Sequence, residues 1–148
     1  MKQIIITILA FLFPALVRSE GTLEGTWKSS LELTKQNNSF IELEKRQVEF
    51  IEQTVGTLEI TYDSKSYTMT DHDRKIFING EEHEWHASQS TQPYKVLFKS
   101  QSTVKVLMKL PNGSWQKETI NYISNNIYWV NWKENSNINL KEYFERVQ

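Results

Sequence analysis

The sequence predicts an all-β domain: an antiparallel up-and-down β-barrel with one α-helix between its first two strands. Three observations carry that prediction. From Thr57 onward apolar residues recur with period two, as in Leu58-Ile60-Tyr62. Asn79-Gly80 and Asn112-Gly113 interrupt such runs, and both pairs tolerate the two positive φ values of a type I′ hairpin turn. Only the stretch 40–55 keeps helical spacing. A meander of about ten strands joined by short turns closes on itself, because closure removes its exposed edges.

Gly21-Thr22-Leu23-Glu24-Gly25-Thr26-Trp27-Lys28-Ser29-Ser30 opens the domain as a short strand entered through glycines. Asn37-Asn38-Ser39 breaks the pattern, and Ser39 with Glu42 fits a capping box. Behind it Ile41, Val48, Ile51 and Val55 keep helical spacing, Glu42 and Arg46 form an i,i+4 pair, and Gly56 suits the C-terminal end. The predicted helix therefore runs from Phe40 to Val55, laid across one barrel end with Phe40, Val48, Ile51 and Val55 as a plug. The strands that follow are expected at 57–63, 66–71, 74–79, 81–88, 93–100, 103–110, 115–123, 127–132 and 140–147.

Two-residue turns also fix cross-strand partners. At Asn79-Gly80 they set Ile78 opposite Glu81, Ile76 opposite His83 and Asp73 opposite His86. At Asn112-Gly113 they set Leu110 opposite Trp115, Met108 opposite Lys117 and Val106 opposite Thr119, leaving Leu107 and Ile120 on the other face.

The first nineteen residues have a different character. Lys2, an apolar run from Ile4 to Phe13 and the exit Val17-Arg18-Ser19 have the form of a secretory signal peptide cut before Glu20. The run is shorter than the roughly twenty apolar residues that span a bilayer. Residues 1–19 are thus read as a signal and residues 20–148 as one barrel domain, periplasmic or secreted, with no stable membrane anchor. The whole chain has formal charge −1, and loss of Lys2 and Arg18 takes the processed domain to −3. Such a balance lacks the clustered basic face of a nucleic-acid binder. The absence of cysteine excludes a disulfide scaffold, a thiolate metal site and a cysteine nucleophile.

Chemistry-bearing motifs are sparse. His83-Glu84-Trp85-His86 suggests a metal, but residues three apart on a strand face opposite ways, so the pair reads as a polar hairpin with an Asp73–His86 contact. No nucleophile elbow, zincin helix, phosphate loop or cofactor motif occurs. No catalytic residue is assigned. Trp115, Tyr122, Tyr128, Trp129, Trp132, Tyr143 and Phe144 form an aromatic cluster that adjacent strands could gather around one cavity.

Gly25-Thr26-Trp27 resembles the GxW motif that opens the first strand of lipocalins and their calycin relatives, including fatty-acid-binding proteins. The resemblance implies that Trp27 closes the barrel base with Arg146 stacked across its ring. It also implies an anion contact near Lys141-Glu142-Tyr143, where the fatty-acid-binding branch carries Arg-x-Tyr; here a lysine point charge stands in place of a bidentate fork. Gly25 to Ser29, Gly56 to Tyr62 and Lys141 to Arg146 together resemble a group of small exported bacterial lipocalin-like proteins.

The expected function is non-catalytic binding of a small hydrophobic or amphipathic molecule, with Tyr122, Trp129, Lys141 and Tyr143 as ligand contacts. A protein-binding module, such as an enzyme inhibitor or envelope partner with a filled barrel, is the alternative. A small-molecule enzyme would need titratable groups converging inside, with His83, Glu118 and Tyr143 the first to check.

Overall fold

The computed structural model of the chain describes residues 21–148. The export signal expected at residues 1–19 lies outside them. In chain order the elements are β1 (Gly25–Ser30), α1 (Leu31–Gln36), α2 (Lys45–Thr54), β2 (Glu59–Tyr62), β3 (Ser66–Asp71), β4 (Arg74–Ile78), β5 (Glu81–Trp85), β6 (Ser88–Lys99), β7 (Thr103–Lys109), β8 (Trp115–Ser124), β9 (Ile127–Asn131), a 3₁₀ turn (Trp132–Glu134) and β10 (Lys141–Arg146). Eight of these strands form a closed antiparallel barrel in the order β1-β10-β9-β8-β7-β6-β3-β2, and β4 with β5 forms a separate hairpin. The up-and-down meander is therefore present, with a two-stranded excursion between β3 and β6.

That excursion turns at Asn79-Gly80, where both φ values are positive, at 53° and 81°. Ile78 faces Glu81 and Ile76 faces His83, the register of a two-residue turn. The second hairpin differs from expectation by one residue. Lys109 pairs with Trp115, Met108 with Gln116, Val106 with Glu118 and Val104 with Ile120. Its loop is longer because Pro111 occupies the first central position of a turn closed by Gly113 N–H to Leu110 O, at 2.9 Å. A proline φ fits that position, and Gly113 then takes the positive φ, 86°. Because side chains alternate, a one-residue slip exchanges the two faces of β8. It carries Gln116 and Glu118 to the interior.

The helical region also departs from the single helix expected at 40–55. It forms two segments, the second starting at Lys45 with a capping box between Glu44 and Gln47 rather than Ser39 and Glu42. Ile41, the first apolar position of the expected helix, is exposed. Ser30 caps α1, which begins where β1 ends. α1 covers the part of β10 that β1 leaves unpaired: Thr34 Oγ1 accepts from Tyr143 N, and Asn38 exchanges two 2.8 Å hydrogen bonds with the Lys141 backbone. A polar side chain here imitates the missing strand.

α2 lies between the barrel and the β4–β5 hairpin. Its Ile51 and Val55 are buried in a cluster with Leu140, against which Phe40, Trp132 and Ile138 pack. On the hairpin side, Gln53 bonds both the N–H and the carbonyl of Phe77, and Phe50 meets Trp85. Separately, the barrel core gathers Trp27, Ile60, Tyr67, Val106, Ile120, Tyr128 and Phe144.

Candidate ligand-binding cavity

One end of the barrel is closed by aromatic rings. Trp27 is fully buried, and its indole N–H donates to Leu23 O at 2.9 Å. The Arg146 guanidinium lies 4.2 Å from the Trp27 ring centroid and donates to Glu24 O and Thr22 O, tying down the segment before β1. This close approach explains Gly25. Its φ is +118°, and a Cβ there would stand 2.5 Å from Arg146 Nη1. Tyr128 packs 4.6 Å from Trp27 between centroids and stacks on Phe144.

Above that floor lies a cavity of about 390 Å³. Tyr62, Tyr67, Tyr128 and Phe144 line it, together with Leu58, Ile60, Met69, Met108 and Val130. Leu110, Gln116, Asn131, Trp132, Asn135 and Ser136 line the rest. Two carboxylates also line it, Glu118 on β8 and Glu142 on β10.

Glu142 is buried and held on both oxygens. Ser29 Oγ donates to Oε1 at 2.5 Å, and Trp132 Nε1 donates to Oε2 at 2.7 Å. Ser29 in turn accepts from Gly56 N, which joins the end of α2 to the site. Burial pushes the Glu142 carboxyl upward, and these two donors offset part of that push. Glu118 is held more loosely. Gln116 and Asn135 side-chain amides reach its Oε2 at 3.5 and 3.3 Å, while Oε1 is buried with no hydrogen-bond partner. Burial first, and then the neighbouring charge of Glu134, push its pKa up to about 7.

Glu134 and Asn135 belong to the segment between β9 and β10 that folds over this side of the barrel. Glu134 accepts from both the N–H and the hydroxyl of Thr119, and Asn135 also donates to Lys117 O. The segment is latched to β8 around Glu118.

None of the four expected ligand contacts lines this cavity. Tyr122 points inward but lies beneath the floor, its ring 6.2 Å from those of Trp27 and Tyr128, with burial pushing its pKa up to about 12. Trp129 and Lys141 lie on the outer wall, where Lys141 Nζ sits 4.7 Å over the Trp129 ring. Tyr143 shares that outer face by alternation, between the inward Glu142 and Phe144, and is buried where α1 meets β10. Trp27 and Arg146 are brought together at the base. His83 and His86 are on the exposed hairpin, and Asp73 bonds Ala87 N rather than His86. Among the described residues no group of three or more His, Asp or Glu side chains could hold a metal ion.

Sequence reasoning missed Glu142 and placed Glu118 only as a residue to check. The signal for Glu118 was Pro111, which sets the hairpin register. For Glu142 it was the strand parity that puts it on the face of Phe144, the more apolar neighbour.

No family model matches the chain, and no curated protein or solved structure matches it.

Proposed function

We propose that the chain is an exported, non-catalytic binding protein that holds a small hydrophobic or amphipathic molecule inside its barrel. One observation carries this reading: the interior is not filled by its own side chains but leaves about 390 Å³ bounded largely by apolar and aromatic groups. That volume falls among those of small-molecule sites, roughly 300–1,000 Å³. A protein-binding module with a packed barrel would have no use for such a space.

Native mass spectrometry on protein purified without detergent from its exported fraction, before and after delipidation, tests the reading. The expected result is a mass of residues 20–148 plus a reproducible increment that delipidation removes. A bare polypeptide in both spectra overturns the carrier, and a mass that retains residues 1–19 overturns the export processing.

A further inference from the structure

We propose that the molecule held in the barrel carries a protonated amine, bound at Glu118 on the side of the cavity that faces Glu142. This inference rests on the carrier reading and narrows it to one ligand class. No Lys, Arg or His is among the described residues that line the cavity, yet two carboxylates do. Buried acids without a counter-charge are costly to keep, and a guest with the opposite charge removes that cost.

The hydrogen bonding of Glu118 tells the same story. Its Oε1 is buried with no hydrogen-bond partner, and its Oε2 has only the long contacts from Gln116 and Asn135, at 3.5 and 3.3 Å. A carboxylate accepts only, and an ammonium donates only, with three N–H groups that could meet several such acceptors at once. Tyr62, Tyr67, Tyr128 and Phe144 supply aromatic lining against which the apolar part of the guest packs. An anionic headgroup finds the reverse. Lys141, the cation that the family resemblance would use, is outside the wall over Trp129, so a fatty-acid carboxylate would meet Glu118 instead.

Three eight-carbon probes that differ only in headgroup test the inference by calorimetric titration at about pH 8, where an alkylamine remains protonated: octylamine, octanol and octanoate. Octylamine is expected to bind at least about tenfold more tightly than octanol, as a hydrogen bond to a charged group implies. Octanoate is expected to bind no more tightly than octanol. Glu118→Gln is expected to remove the preference for octylamine over octanol. Octanol or octanoate binding as well as octylamine overturns the amine and leaves the carrier standing. An octylamine preference that survives Glu118→Gln overturns the assignment to this site. The wild-type comparison does not depend on the variant folding. If none of the three binds, the species that copurifies decides: a basic nitrogen in it supports the inference and its lack overturns it. No copurifying species removes the carrier reading as well.

Discussion

Glu118 sits where ionisation is opposed by burial and by Glu134, so its folded-state pKa of about 7 lies above the ordinary value of 4.5. A raised acid binds its proton more tightly in the folded state than in the unfolded chain. Its favourable contribution is therefore complete below the unfolded pKa and is lost as pH rises through the folded one. At about pH 8 the folded barrel carries the full penalty, and Glu118→Gln should raise stability there by on the order of 2 kcal/mol, with little gain near pH 4. Chemical denaturation at the two pH values checks this, and an equal effect at both would remove the desolvation argument. Glu142 is pushed in the same direction and steepens the wild-type curve, which is why the comparison is made against the variant. At the other end of the barrel Trp27 is wholly buried, and Arg146 and Tyr128 pack against it. Trp27→Ala should cost about 3–5 kcal/mol. A denaturation midpoint matching wild type would show that the base does not hold the barrel shut.

Hairpin geometry decides which side chains reach the interior. In the β7–β8 connection, Pro111 and Gly113 share the work: one supplies the fixed φ that opens the turn, the other the positive φ that ends it. A Cβ at Gly113 would touch nothing within 4 Å, so Gly113→Ala isolates the backbone term. It should cost about 1–2 kcal/mol, the penalty of a left-handed conformation for an L-residue. No measurable loss in a urea titration would mean the turn relaxes, and with it the register that carries Glu118 inward. α1 works differently, as a cover for a strand edge rather than a plug. The sequence pattern around Asn37-Asn38-Ser39 reads as a break between elements, but Asn38 also acts as a strand partner for Lys141, 103 residues away. Nothing local announces that role.

For the whole molecule, the space inside the barrel distinguishes a carrier from a filled scaffold. Filling it should abolish binding without unfolding the chain. Val130 lines the cavity on β9, and Val130→Trp should remove the ligand-dependent mass increment while leaving the far-ultraviolet circular dichroism of the β-barrel in place. The overpacking cost of about 1–3 kcal/mol is within what a domain of this size withstands. Retention of the increment would place the ligand outside the barrel.

Much of this architecture was legible from local chemistry. Alternating apolar residues located most strands to within a few residues, because a half-buried strand must alternate whatever surrounds it. β6 is the exception, beginning at Ser88 rather than at the expected 93, because Ser88-Gln89-Ser90-Thr91-Gln92 carries no apolar alternation. Asn79-Gly80 set the register of its own hairpin, since a two-residue turn leaves the flanking strands no choice. The interior was less legible. Lys141 and Tyr143 lie on one face of β10 and Glu142 and Phe144 on the other, and a single strand does not say which face looks inward. The resemblance pointed to the former; closure of the barrel chose the latter, bringing Glu142 under Ser29 and Trp132 from opposite flanks. The cavity, its two carboxylates and its lack of a lining cation depend on contacts between residues as far apart as 29 and 142. Sequence periodicity carries no record of such distances, and only the closed sheet resolves them.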